Sequence, residues 1–276
     1  MCLMALLFYS ESGYCQDREE LYQQGLSYHY KKDYDNAARC FAYAADHGHI
    51  GALTMVGVYF EKGFSFPQKY EMAVKFYQAA AERGDMYAQG NLGQCYYKGR
   101  GVTQDYTKAV EWFRKAAEQG HRNAQYYMGE CYYNGQGVAQ DFTKAAEWYS
   151  KSAEQGNSSA QNYMGECYFY GQGVAKDFTK AAEWYSKSAE QGNSSAQVTL
   201  GSLYYTGVGV TQDYTKAMEL YRKAAEKGDS TGQYCLGLCY FEGHGVKEDK
   251  AEAMKWFRMA AEQGNESAKE KLKSLE

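Results

Sequence analysis

The sequence predicts an all-α protein, a right-handed α-solenoid (superhelix) in which antiparallel helix pairs stack one after another. Three observations predict this class. A glycine recurs every 36 residues, at Gly57, Gly93, Gly129, Gly165, Gly201 and Gly237. Such self-similarity, at a period between about 20 and 50 residues, is typical of solenoids. The residues around these glycines show helical spacing, and the chain contains a single proline, Pro67, whereas β-rich or disordered chains usually contain more.

The composition is that of a packed protein with no affinity for nucleic acid. The chain is 45% hydrophobic and 16% aromatic, and its formal net charge is −4. Acidic and basic residues are interspersed, so the basic stripe that phosphate binding needs is absent from the sequence. No apolar run approaches the roughly 20 residues of a membrane-spanning helix. We therefore expect no nucleic-acid partner and no transmembrane segment, and we expect the chain to act as a monomer.

The first helix of each repeat is predicted from its apolar spacing, which is clearest in residues 121–156. There Ala124, Met128, Cys131 and Tyr132 fall at helical intervals and define one apolar face. At the equivalent positions of the other repeats, a tyrosine follows each cysteine or leucine. We therefore expect these first-helix tyrosines to be structural. They are Tyr96, Tyr132, Tyr168, Tyr204 and Tyr240.

The second helix is predicted from its start and stop signals. The glycines within residues 134–138 break the first helix, because glycine adopts positive φ without strain. Asp141 is placed to cap the second helix, and Gly156 is placed to end it. Its expected inner face consists of Ala145, Trp148, Ser152 and Ala153. Because plain hydrophobic residues replace this tryptophan in some repeats, we interpret the tryptophans as core residues. They are Trp112, Trp148, Trp184 and Trp256.

The pattern divides the chain into repeats with two atypical ends. The 36-residue units run 49–84, 85–120, 121–156, 157–192, 193–228 and 229–264. Residues 17–48 have the same skeleton without a four-residue loop extension, and residues 265–276 begin another first helix that turns charged, which predicts a C-terminal capping helix. Residues 1–16 are apolar. They are either a weak signal peptide or a cap on the first repeat, so a cytoplasmic and an exported location both remain open.

This pattern resembles the Sel-one-like repeat (SLR) family of the tetratricopeptide (TPR) superfamily. Five consecutive units carry its Gly-x-Gly-Val loop, followed by an aspartate and a Lys-Ala-x-x-Trp-like second helix. The unit 49–84 departs from it, with Ser65, Phe66 and Lys69 in place of the second loop glycine, the valine and the capping aspartate. Residues 17–48 resemble a plain TPR. The resemblance implies a TPR-like solenoid with an adaptor or scaffold role.

Most of the cysteines are expected to be reduced core residues. Cys95, Cys131, Cys167 and Cys239 each follow the repeat glycine by two residues, so they lie on successive equivalent helices. Such helices are about 8–10 Å apart, whereas a disulfide needs Cα atoms closer than about 7 Å. One cysteine-rich branch of the family bridges the two helices of a repeat, but this chain lacks the second-helix cysteines. Cys235 could join Cys239 at a metal, although packing is the better interpretation.

Two nearly identical repeats suggest where a partner binds. The second helix is unchanged between residues 129–164 and 165–200, and five of their six differences lie on the first helix. In TPR proteins the equivalent first-helix positions line a concave groove that holds extended peptides. Carried over by position, the predicted groove residues are Gln94, Tyr97, Lys98, Tyr126, Glu130, Tyr133, Asn134, Asn162, Glu166, Phe169, Tyr170, Val198, Ser202, Tyr205, Thr206, Tyr234, Leu238, Phe241 and Glu242.

Five of these residues form an aromatic ladder with one ring per repeat. The rings are those of Tyr97, Tyr133, Phe169, Tyr205 and Phe241. Aromatic side chains offer a large contact area to a partner at low entropic cost. The alternative is that the ladder packs between neighbouring repeats, because aromatic stripes are often core residues.

Catalytic signatures in the sequence are weak. It contains no Ser-x-x-Lys, its one match to Gly-x-Ser-x-Gly is residues 228–232, and its five histidines recur at no fixed place in the repeat. We therefore expect a non-catalytic protein-interaction module without a metal or other cofactor. The alternative is an exported cell-envelope enzyme of the β-lactamase-like or peptidoglycan-acting type, because some relatives have been called β-lactamases. A structural role in a larger complex, through a convex or end surface, is a third possibility.

Overall fold

The computed structural model describes residues 17–275, and within that range all regular structure is helical. Fifteen helices follow one another along this range, and sequential helices pack together within each unit, which confirms the predicted all-α solenoid class. The helices belong to two compact units, one up to Ala139 and one from Gln140. The predicted signal peptide or apolar cap, residues 1–16, lies outside the described residues.

Residues 17–139, the described part of the first unit, contain seven helices. They are α1 (Arg18–Tyr30), α2 (Tyr34–Asp46), α3 (Ile50–Lys62), α4 (Tyr70–Ala81), α5 (Met86–Lys98), α6 (Tyr106–Glu118) and α7 (Arg122–Asn134). The two helices of each pair pack against each other, α1 on α2, α3 on α4 and α5 on α6. Each second helix also packs on the first helix that follows it, and one continuous cluster of buried residues runs from α2 to α5.

The unit from Gln140 contains eight helices. They are α8 (Phe142–Glu154), α9 (Ser158–Tyr170), α10 (Phe178–Glu190), α11 (Ser194–Thr206), α12 (Tyr214–Glu226), α13 (Ser230–Glu242), α14 (Lys250–Glu262) and α15 (Glu266–Lys273). They pack in the same sequential manner, and α15 lies on α14 through the buried Ala268. None of the helices in residues 17–275 is both long enough and apolar enough to cross a membrane.

Helix caps explain where the helices begin. Asp141 Oδ1 accepts a hydrogen bond from the Lys144 backbone N–H at 3.0 Å, as predicted. Lys69, which replaces the aspartate in the repeat 49–84, makes no side-chain cap bond. The first helices are capped too, and Asn193 Oδ1 accepts from the Ala196 N–H at 3.0 Å. Asn157 and Asn265 cap α9 and α15 in the same way.

The recurring glycine allows the two helices of a repeat to approach closely. Gly237 on α13 faces the ring of Phe257 on α14, and a Cβ added to the glycine would lie 2.6 Å from the nearest ring carbon. Gly165 faces Tyr185 in the same way. Any larger residue at this position would force the helices apart, because a core packed at this density leaves no room for an extra methyl group.

The predicted inner face of the second helix needs one correction. Ala145, Ser152 and Ala153 are buried as predicted, but Trp148 is half-buried and Lys151 Nζ lies 4.2 Å above its ring. The buried ring belongs to the next residue, Tyr149. The same shift holds for the other tryptophans, Trp112, Trp184 and Trp256, which are half-buried. The equivalent core rings are Phe113, Tyr185 and Phe257. The ring that faces the recurring glycine therefore fills the core.

The first-helix tyrosines and cysteines pack as expected. Tyr96, Tyr132, Tyr168, Tyr204 and Tyr240 are half-buried. The six described cysteines are unbridged. Four of them are buried in the core, namely Cys95, Cys131, Cys167 and Cys239.

Buried glutamines join successive elements in a way that the sequence pattern does not reveal. Gln161 Nε2 donates to the Ala153 carbonyl at 3.1 Å, which satisfies an end carbonyl of α8. Gln161 Oε1 in turn accepts from Gln191 Nε2, at the end of α10, at 2.6 Å. Gln233 and Gln263 repeat this second bond at 2.8 Å. These two glutamine pairs thus connect one repeat to the next by hydrogen bonds.

Candidate partner-binding face

The predicted groove residues all lie on first helices. Those of the first unit are on α5 and α7, and those of the second unit are on α9, α11 and α13. Two neighbouring pairs of first helices are in contact within their units, α5 with α7 and α11 with α13. We call the surface formed by the predicted residues of these first helices the first-helix face.

The predicted residues differ in exposure. Asn162 is buried, with 8% of its surface exposed. The exposed members are Lys98, Asn134, Tyr170, Thr206 and Glu242. The half-buried members are Gln94, Tyr97, Tyr126, Glu130, Tyr133, Glu166, Phe169, Val198, Ser202, Tyr205, Tyr234, Leu238 and Phe241. The aromatic ladder is therefore neither fully open to a partner nor fully enclosed in the core.

In the first unit, Tyr97 packs between a second helix and the next repeat. Its ring lies 5.2 Å from the Tyr106 ring and 5.5 Å from the Tyr127 ring. Its hydroxyl donates to Gln136 Oε1 at 2.7 Å, in the loop after α7. Burial raises the pKa of the Tyr97 hydroxyl above its ordinary value, so the phenol stays protonated and acts as a donor.

In the second unit, Tyr205 has an equivalent but more polar environment. Its hydroxyl lies 2.6 Å from Glu242 Oε2 and 2.7 Å from His244 Nδ1, while His244 stacks on Tyr214 with ring centroids 4.4 Å apart. Burial is the main cause that raises the pKa of Tyr205, with the Glu242 hydrogen bond as the next cause. The second unit therefore contains a Tyr–Glu–His cluster at the rim of the first-helix face.

A ladder residue and the loop residue 39 positions later have matching polarity: a tyrosine faces a polar loop residue, and a phenylalanine faces an apolar one. Tyr97 bonds to Gln136, and Tyr205 bonds to His244. Phe169, which has no hydroxyl, packs on the same hydrophobic cluster as Val208, the residue at the equivalent loop position. The loop residues were not predicted as part of the site. The signal that could have revealed them is this pairing between repeats of one chain.

Two carboxylates lie half-buried on the face at equivalent positions. Burial raises the pKa of Glu130, while a hydrogen bond from Tyr126 and the charge of Lys98 partly oppose that rise. Burial also raises the pKa of Glu166, and here the opposing effect is a hydrogen bond from Asn162. Asn162 Nδ2 donates to Glu166 Oε1 at 2.9 Å. Both carboxylates are thus partly removed from water before any partner arrives.

Tyr170 is the most accessible aromatic side chain among the predicted residues. Its exposed fraction is 63%, and its ring meets the Phe169 ring edge-on at 5.0 Å. The equivalent residue of the preceding repeat is Asn134. The difference between the two nearly identical repeats therefore places one large exposed ring on the first-helix face.

The sequence family follows from comparison with known repeats. The model of the Sel1 repeat family matches seven consecutive segments, at residues 9–49, 50–85, 87–121, 122–157, 158–193, 194–229 and 230–265. The chain belongs to the Sel1 repeat family. Its members are generally protein-interaction modules. No curated protein matches the chain significantly.

Two solved structures are similar to this Sel1 repeat protein along most of its length. The antigen c5321, described as a protective antigen present in uropathogenic Escherichia coli strains and displaying an SLR fold, is 39% identical with a TM-score of 0.82. The alignment covers 91% of this chain and 55% of the antigen, so this chain spans about half of that protein. A Sel1 repeat protein from Oxalobacter formigenes is 31% identical with a TM-score of 0.79, over 87% of this chain and 96% of that one.

The described residues of the face make hydrogen bonds, a charged contact and aromatic contacts. Ser202 Oγ donates to the Val198 carbonyl at 3.1 Å and lies 3.1 Å from the Tyr221 hydroxyl, so neither of these contacts is to a base that would activate a nucleophile. Within residues 17–275, no three His, Cys, Asp or Glu side chains are grouped so that they could hold a metal ion.

Proposed function

We propose that this Sel1 repeat protein is a non-catalytic adaptor or scaffold that binds an extended segment of a protein partner along its first-helix face. The observation that carries the proposal is the exposure of Tyr170 beside Phe169 on that face. A large exposed aromatic side chain costs free energy in water and is a typical anchor in a protein interface. Half-buried polar groups around it would set the register of the partner.

The pairs of ladder and loop residues support different roles for the ladder residues and for the residues that follow them. The hydroxyls of Tyr97 and Tyr205 form hydrogen bonds within the protein, so these two residues shape and stiffen the face. The residues one position later, among them Tyr170, Thr206 and Glu242, extend beyond them into solvent. We therefore assign direct partner contact chiefly to these exposed residues, with the ladder rings as the surface beneath them.

Affinity capture with a matched pair of variants tests the proposal. Tyr170→Asn copies the residue of the preceding repeat, so it removes the anchor without disturbing the packing of α9. Met259→Gln, on the exposed side of α14, removes an exposed apolar side chain of similar accessibility from a second helix. We expect the partners captured by the wild type to be lost with Tyr170→Asn and retained with Met259→Gln. Equal capture by all three folded proteins would refute binding at this face.

A further inference from the structure

The Glu166 carboxylate is half-buried and has a single hydrogen-bond partner. Asn162 Nδ2 donates to its Oε1 at 2.9 Å, and Asn162 itself is buried. No lysine, arginine or histidine in the described chain forms an ion pair with Glu166, and none contributes to its pKa. The carboxylate has therefore lost part of its hydration without gaining a cation.

Three other carboxylates on first helices are better compensated. Glu61 accepts a hydrogen bond from the Tyr77 hydroxyl at 2.6 Å and lies 3.4 Å from Lys62 Nζ. Glu242 accepts from the Tyr205 hydroxyl and lies 3.1 Å from His244. Glu130, the one carboxylate at the same repeat position as Glu166, has a tyrosine donor and the charge of a lysine nearby. Glu166 differs from Glu130 because no positive charge contributes to its pKa.

An uncompensated carboxylate of this kind favours a cationic ligand. The free protein has already incurred part of the desolvation cost of Glu166, and Asn162 holds the carboxylate in one orientation. A cation that binds there gains an attraction strengthened by the reduced local dielectric and by charge-assisted hydrogen bonds. The predicted face residues of the second unit include two carboxylates, Glu166 and Glu242, and neither lysine nor arginine, so their charge complements a basic segment.

Aromatic rings beside Glu166 provide a second type of group that attracts cations. Phe169 and Tyr170 follow it by about one turn of α9, and the Tyr170 ring is open to solvent. Guanidinium and ammonium groups bind well where a carboxylate and an aromatic face lie together. The last ladder ring of the same unit already holds such a group, because Lys271 Nζ from α15 lies 4.2 Å above the Phe241 ring.

We infer that the α9 part of the first-helix face binds an arginine or lysine side chain of an extended partner segment, with Glu166 as the counter-ion and Tyr170 as the stacking surface. This inference rests on the proposed function and adds the chemical class of the partner: a basic, extended peptide segment, as opposed to an acidic or purely apolar one.

Selection from a random peptide library displayed on phage, with the full chain as bait, tests the inference. Peptides that bind the wild type and not Tyr170→Asn are synthesised with a fluorescent label, together with copies in which citrulline replaces each arginine and norleucine each lysine. Dissociation constants are then measured for the wild type, for Glu166→Gln and for Glu183→Gln. Glu183 is exposed on α10, so its variant removes the same charge from a second helix.

We expect the selected peptides to share a lysine or arginine. Glu166→Gln and the neutral peptide should each weaken binding about tenfold, whereas Glu183→Gln should change it less than about twofold. If the Tyr170-dependent peptides lack a basic residue, or if Glu166→Gln binds them as tightly as the wild type, the inference is wrong while the proposed face stands. If no peptide depends on Tyr170, both are refuted.

Discussion

Lys227 breaks the chain of buried glutamines by leaving Gln197 without its usual partner. In the repeats before and after it, a glutamine at the position of Lys227 donates to the buried glutamine 30 residues earlier, as Gln191 does to Gln161. Lys227 Nζ instead donates to the Gly192 carbonyl at 2.7 Å. Gln197 Oε1 is consequently buried with no hydrogen-bond partner. An unsatisfied buried acceptor destabilises the fold.

The first prediction follows from this missing hydrogen bond. Lys227→Gln should restore the missing hydrogen bond and raise the free energy of unfolding by about 1 kcal/mol, the net value of one such bond. Denaturant unfolding followed by circular dichroism measures the change. Gln191→Lys is the reciprocal control and should lower stability by a similar amount, because it removes the donor to Gln161. Unchanged stability in both variants would contradict the role given to the glutamines.

The second prediction concerns the close approach of the helices at the recurring glycine. Gly165→Ala would place a Cβ 2.6 Å from the Tyr185 ring, so the helices must separate. We expect a loss of about 1–3 kcal/mol, as for other overpacked cores. Gly156→Ala is the comparison, because its Cβ would meet nothing within 4 Å although its φ is +82°. Its cost should be about 1 kcal/mol, the penalty for left-handed backbone. Thermal unfolding measures both losses, and no loss for Gly165→Ala would show that the close approach at this glycine is unimportant.

The third prediction tests the matched ladder and loop residues. Tyr205→Phe and His244→Val should each lower stability by about 1 kcal/mol, because each removes hydrogen bonds from the cluster. The double variant reproduces the Phe169 and Val208 combination, which packs without a hydroxyl. Its loss should be smaller than the sum of the single losses, by about 0.5–1.5 kcal/mol. A double-mutant cycle by urea unfolding measures this difference, and strictly additive losses would refute the coupling.

The fourth prediction concerns the pH dependence of stability at Glu166. Burial raises the pKa of its carboxyl in the folded protein, so folding favours the protonated form and the ionised form is destabilising above that pKa. Glu166→Gln should therefore be more stable than the wild type at pH 7, by about 0.5 kcal/mol. The advantage should shrink as the pH falls through the raised pKa and vanish below the ordinary pKa of glutamate, about 4.3.

Melting temperatures of the wild type, Glu166→Gln and Glu183→Gln over a series of pH values measure this dependence. Glu183 is exposed on α10, so its variant should follow the wild type across the whole range. A stability difference for Glu166→Gln that is the same at pH 4 and pH 7 would show that ionisation of the carboxyl is not its cause.

The fifth prediction concerns the core thiols. Burial raises the pKa of Cys95, Cys131, Cys167 and Cys239 to about 12. Because the thiolate is the reactive form, these four should resist iodoacetamide at pH 7.5 in the native protein and react in denaturant. Mass spectrometry of the digested protein gives the alkylated fraction at each site. Rapid native alkylation of any of the four would contradict the packing of its helix.

Features that depend on short-range physics could be predicted from the sequence. Asp141 was expected to cap a helix because its carboxylate reaches a backbone N–H three residues later, and it does so at 3.0 Å. The prediction that Trp148 lies on the inner face is wrong, because the buried ring is that of the adjacent Tyr149. Adjacent helical residues differ by about 100° in direction, and the one that enters the core depends on where the partner helix and its glycine lie.

The candidate site, like the fold, could be predicted only in part from the sequence. The sequence was sufficient to propose the first-helix face, because helical spacing places equivalent residues on one side. Whether a ladder ring is open or covered depends on the loop of the following repeat, as Tyr97 and Gln136 illustrate. The lack of a cation at Glu166 is likewise a property of all its neighbours in space, so residue spacing along one helix could not reveal it.

Site-specific photo-crosslinking tests the central claim most directly. A benzophenone amino acid is placed at Tyr170 on the first-helix face or, in a second protein, at Glu183 on α10, and each is irradiated with the partner or selected peptide bound. The account predicts covalent adducts from position 170 and none from position 183. Adducts from position 183 with none from position 170 would place binding on the second helices and contradict the account.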